Sequence, residues 1–61
     1  MVKVGDTIEC VHMDDRFHPV PAGTRGVVYH IDSIGQLHVK WENGSGLALN
    51  PDVDTYKILE E

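Results

Sequence analysis

Four histidines, ten carboxylates and a single cysteine are the residues of this chain whose types allow chemistry. Their spacing decides how much. His30 and His38 fall on the polar sides of two adjacent apolar–polar alternations, Val27 to Asp32 and Leu37 to Glu42. If these pair as antiparallel strands through the connection Ser33-Ile34-Gly35, the two histidines face each other with side-chain roots about 5 Å apart. That is close enough to share a soft metal ion, and Asp32 is the one carboxylate the register brings near. Zinc asks for three or four ligands, so His30 and His38 stand only as metal candidates. The plain reading is a solvated pair that repels itself when both rings protonate near pH 6. His12 and His18 flank Asp14-Asp15 in a second collection of ligand types with no zinc-type spacing, equally readable as a solvated loop. No nucleophile motif, phosphate-cradling glycine loop or carboxylate pair in a recognisable pocket is present, so no catalytic residue and no cofactor is assigned. Cys10, on an apolar strand face, reads as a small hydrophobe rather than a nucleophile.

The element that positions most of these residues is Leu37 to Leu49. Leu37, Val39 and Trp41 share one face of a strand, and His38, Lys40 and Glu42 the other. A two-residue Asn43-Gly44 turn would set Leu47 and Leu49 on the polar side, against burial. A three-residue loop, Glu42-Asn43-Gly44, with Gly44 in the left-handed region, sets Leu47 opposite Val39 and Leu49 opposite Leu37. Asn43-Gly44-Ser45 matches a glycosylation acceptor, but the turn accounts for it.

The remaining chain supplies the other strands. Thr7 to His12 alternates so that Ile8 and Cys10 are inward. Met13 to Ala22 has no period and carries Pro19 and Pro21, which a central strand would not tolerate. It reads as a long loop in which Phe17 and Val20 either fold back over the core or present an anchor. Gly23 and Gly26 suit a bend into Val27 to Asp32. There the register places Ile31 opposite Leu37, Tyr29 opposite Val39 and Val27 opposite Trp41, with Val27, Tyr29 and Ile31 inward. Asn50-Pro51-Asp52-Val53-Asp54 is a capped helical turn, followed by a strand Tyr56 to Leu59 and the acidic end Glu60-Glu61. Five short strands, two tight connections and a short 3-10 turn before the last strand predict an all-β, five-stranded SH3-like barrel spanning residues 1–61 as one domain, with an OB-fold as the alternative.

With 61 residues, the chain has room for one core and a stability of about 3–5 kcal/mol. Ten acidic against five basic residues, net charge −5, disfavour a phosphate-backbone partner. One cysteine, no apolar run of membrane-spanning length and no apolar leader segment suggest a cytoplasmic chain.

The run from Gly5-Asp6 through Val11-His12-Met13-Asp14-Asp15, then Pro21 to Val28, then Val39-Lys40-Trp41-Glu42-Asn43-Gly44-Ser45 with Leu47-Ala48-Leu49, resembles a small family of bacterial and phage proteins described as a domain of unknown function. That resemblance implies an SH3-like barrel and a home in bacteria or their mobile elements, and it implies no activity. More loosely, Gly23 to Val28 resembles the glycine turn of KOW modules of ribosomal and transcription proteins, which implies nucleic-acid binding through basic loops.

Two readings of function follow. In the first, the domain is a non-catalytic protein-binding adaptor, monomer or weak homodimer. Phe17 is its anchor, Asp14, Asp15, Arg16 and His18 set orientation, and Trp41 adds an aromatic edge toward a basic or proline-rich segment. In the second, Arg16, Arg25 and Lys40 bind nucleic acid weakly and with steep salt dependence.

Overall fold

The apolar alternations become strands, and a computed structural model describes residues 1–59. The acidic end Glu60-Glu61 lies outside the described residues. Strand β1 (Thr7–His12), β2 (Arg25–Ile31), β3 (Leu37–Trp41) and β4 (Thr55–Ile58) form one antiparallel sheet in the order β3-β2-β1-β4. Ile8 and Cys10 of β1 are fully buried, as their alternation predicts. The last strand starts and ends one residue earlier than Tyr56 to Leu59.

The expected five-stranded layout is corrected in two places. The segment after Trp41 does not form a full strand: it meets β3 through one bridge, in which the Leu37 and Leu49 N–H groups each donate to the other's carbonyl at 2.8 Å. The sheet is therefore four-stranded and open. Asn50 to Asp54 is a hydrogen-bonded turn and not a 3-10 helix. The Asn50 carbonyl accepts from Val53 (3.1 Å) and Asp54 (2.8 Å), and its Oδ1 accepts from Asp52 N–H at 3.0 Å. Asp54 stops the turn by reaching back, its Oδ2 accepting from Asn50 N–H at 2.9 Å.

The register of β2 against β3 is as expected only at one end. Ile31 pairs with Leu37 and His30 with His38, but Val28 pairs with Val39, Val27 with Lys40 and Gly26 with Trp41. Tyr29 is the extra residue of a β-bulge. A shift of one residue exchanges the faces, so Val28 and Gly26 are inward while Val27 and Tyr29, expected inside, are exposed. Gly26 shows what fixes the shift. A Cβ there would sit 2.5 Å from Val39 Cγ1, 2.8 Å from the Lys40 carbonyl oxygen and 3.0 Å from Trp41 Cε3. Only glycine lets Trp41 lie across β2, and Val27 in that place would collide.

The core consists of Ile8, Cys10, Met13, Val20, Val28, Leu37, Val39, Trp41 and Leu49. Met13 and Val20 bring the two ends of the long loop into it. Val20 N–H donates to Met13 Sδ at 3.3 Å, the Cys10 thiol donates to the Val20 carbonyl at 3.5 Å, and Gly23 N–H donates to the Cys10 carbonyl at 2.7 Å. No helix among the described residues is long and apolar enough to cross a membrane.

Candidate interaction sites

The loop between β1 and β2 is held at its base and bare at its tip. Asp14 N–H donates to Asp54 Oδ1 at 2.7 Å, which ties the loop's start to the turn before β4 across forty residues of chain. Asp54 is buried, and its two oxygens serve Asp14 and Asn50, so the carboxylate links two segments with no sheet pairing between them. Farther along, Phe17 N–H donates to Asp15 Oδ1 at 3.0 Å, a local turn of the kind aspartate favours. Arg16, Phe17, His18 and Pro19 are exposed, Phe17 by 81%. The two alternatives for the loop are thus divided between its residues: Val20 folds back into the core and Phe17 does not. Trp41 does not join the tip as an exposed aromatic. It is 3% exposed, and its indole N–H donates to the Leu47 carbonyl at 2.9 Å.

The histidines of β2 and β3 meet as their register requires. The His30 and His38 rings lie 5.2 Å apart between centroids, and the Tyr29 ring stands edge-on to His38 at 6.2 Å. His38 Nε2 is 2.9 Å from Asp32 Oδ2, while Asp32 Oδ1 accepts from the Ile34 (3.1 Å) and Gln36 (2.9 Å) N–H groups of the turn. The hydrogen bond from His38, with those turn N–H groups, holds the Asp32 carboxyl below the usual carboxylate value. Asp32 is thereby committed to organising the turn. Among the described residues no three His, Cys, Asp or Glu side chains are placed to hold a metal ion, which includes His12 and His18 at the loop. Burial, and secondarily the charge of Asp54, pushes the Cys10 thiol upward, away from the thiolate a nucleophile needs.

The cations proposed for nucleic acid are spread and partly engaged. Arg25 and Lys57 flank Glu9 at 3.8 and 3.6 Å, and Lys3 lies 3.7 Å from Asp6. Arg16 and Lys40 have no carboxylate at ion-pair distance among the described residues.

One further feature was not legible in the pattern. A shallow cavity of about 660 Å³ opens beside β3, lined by Tyr29, Val39, Lys40, Trp41, Gly44, Ser45 and Gly46. It exists because the bulge turns Tyr29 outward and because the chain after Gly44 leaves the edge of β3. Tyr29 had every local mark of a core strand residue, so nothing in the alternation alone signals it. Asp54 was equally hidden, since a long-range carboxylate clip has no periodicity.

No curated protein and no solved structure matches the chain. Residues 2–59, nearly the whole chain, match the profile of the family described as domain of unknown function (DUF4314), and the chain belongs to that family.

Proposed function

We propose that this domain is a non-catalytic protein-binding module of a bacterial or phage protein, working in the cytoplasm, with the tip of the β1–β2 loop as its docking point. One observation carries the reading: Phe17 is almost entirely exposed on a loop whose two ends are buried and hydrogen-bonded. An aromatic side chain held out by a fixed loop loses little conformational freedom on binding, which is what makes such residues effective anchors. Asp14 and Asp15 beside it favour a basic or proline-rich partner segment. The strand order also supports an SH3-like layout. With the Leu49 bridge added outside β3, the succession is that of a small barrel whose fourth strand is reduced to a single contact.

A pull-down from bacterial lysate with the tagged domain, run with and without nuclease beside Phe17→Ala, tests this. A protein retained after nuclease and lost with Phe17→Ala is the expected result. Retention unchanged by Phe17→Ala, or recovery of nucleic acid alone, would contradict it. Phe17 contributes nothing to the core, so Phe17→Ala stays folded.

A further inference from the structure

The edge of β3 has a gap in its hydrogen bonding. Backbone groups along a strand alternate in direction, and Leu37 turns its N–H and C=O outward, to Leu49. Val39 therefore faces the same way. Its partner across the sheet, Val28, confirms this by spending its own groups on the other side: Val28 N–H donates to Asp6 and Val28 C=O accepts from Gly5. Between the Leu37–Leu49 bridge and the Gly44 N–H to Trp41 C=O bond (3.1 Å), no backbone bond crosses that edge to the described residues. Leu47 is the residue whose register would satisfy Val39, but its groups are taken. Its N–H donates to Ser45 Oγ at 3.2 Å and its carbonyl accepts from the Trp41 indole. The cavity lies at this place, with Val39 and Trp41 in its wall and Lys40 and Tyr29 at its mouth.

Val39 is only 4% exposed. Backbone groups that far from water are nearly always paired, so an open edge at Val39 is a slot for a partner. We infer that this slot binds an extended peptide segment of another protein by strand addition, with an apolar residue set opposite Val39 and an acidic residue next to it, opposite Lys40. The apolar residue follows from the face: a guest side chain opposite Val39 points to the same side as Val39 and Trp41. The acidic neighbour follows from charge, because Lys40 is exposed and has no carboxylate at ion-pair distance among the described residues. On the other flank, His38 is already joined to Asp32. The guest is short. The slot spans one backbone pair and its two flanks, about 10 Å of strand, which makes the complex weak and fast to exchange. This surface is separate from the Phe17 loop, and the inference stands independently of it.

The probe is the capped tripeptide acetyl-Glu-Ile-Glu-amide, which carries an acid on either side of the apolar residue and so fits either strand direction. It is titrated into the isotopically labelled domain and followed by amide chemical shifts. The expected result is a saturable downfield movement of the Val39 amide. The same peptide N-methylated at Ile, which has lost its donor, should fail to produce it. Lys40→Glu should weaken binding roughly three- to tenfold and favour acetyl-Lys-Ile-Lys-amide instead. Phe17→Ala should leave the titration unchanged. A Val39 amide unmoved at millimolar peptide, equal binding of the N-methylated probe, or indifference to Lys40→Glu would overturn the assignment. Lys40 is exposed and outside the core, so the variant tests charge and not folding.

Discussion

Two turns of this chain are nearly the same device with different consequences. Ser33-Ile34-Gly35 and Glu42-Asn43-Gly44 each end on a glycine at positive φ, +85° and +83°. Each closes with that glycine's N–H on the carbonyl three residues back, Asp32 at 3.0 Å and Trp41 at 3.1 Å. After Gly35 the chain pairs at once, Asp32 N–H reaching Gln36 C=O and Ile31 facing Leu37. After Gly44 it departs from β3 and returns only at Leu49. The side chains around each turn explain the difference. Asp32 collects the N–H groups of Ile34 and Gln36 and the His38 ring, so its hydrogen bonds reinforce the ladder. Asn43 and Ser45 instead take the N–H groups of Ser45 and Leu47, and Trp41 takes the Leu47 carbonyl, so theirs compete with it. Gly46 offers no side chain to favour a strand there. A turn sets the register available to the chain, and local side-chain bonds decide whether the register is used.

The comparison can be broken most severely at Leu49, whose bridge is what brings the departing chain back. Leu49→Ala removes a fully buried side chain and should cost about 3 kcal/mol in urea unfolding, much of the domain's stability. A loss well under 1 kcal/mol would mean that the bridge is incidental. Next is Gly26→Ala, which displaces Trp41 from its place across β2 and should cost about 2 kcal/mol. Near-UV dichroism of the indole should change with it. Gly35→Val and Gly44→Val meet no neighbouring atom, so each pays only for the left-handed backbone, about 1–2 kcal/mol. Similar losses at the two sites would show that the turns are equivalent and that the difference lies beyond them. The smallest effect is at Asp32. Its carboxyl is held below the usual value of 3.8 in the folded chain, so the stability it lends is present above that value and lost as pH falls through the lowered one. The stability gap between the natural chain and Asp32→Asn should therefore narrow below pH 3.8 and stay constant above it, as acid unfolding monitored by dichroism would show.

Much of this arrangement was legible in the residues. The Ile8 and Cys10 alternation gives β1, glycines 35 and 44 give their turns, and the need to bury Leu49 opposite Leu37 gives the bridge. The His30–His38 pair, with Asp32 beside it, follows from one turn length. The bulge did not show, because Val27-Val28-Tyr29 is equally apolar on both faces and no period of two can choose between them. Gly26 beneath Trp41 makes the choice, and that contact exists only in three dimensions. The shortening of the fifth strand was hidden for a related reason. Leu47 has the right type and spacing to face Val39, and only the geometry of Ser45 and Trp41 shows that its polar groups are already spent. Phe17 and Val20, close in sequence and both apolar, part company because Val20 reaches Met13 and Cys10 while Phe17 sits on the turn made by Asp15.

The account rests on the open edge at Val39, and native-state hydrogen exchange of two amides on one strand tests it most directly. Leu37 N–H, donated to Leu49, should exchange slowly, near the rate set by global unfolding. Val39 N–H should exchange orders of magnitude faster in the free domain, and Ser45→Ala, which releases Leu47, should slow it. Equal protection of Leu37 and Val39 in the unaltered chain would mean that the fifth strand is complete and the slot closed.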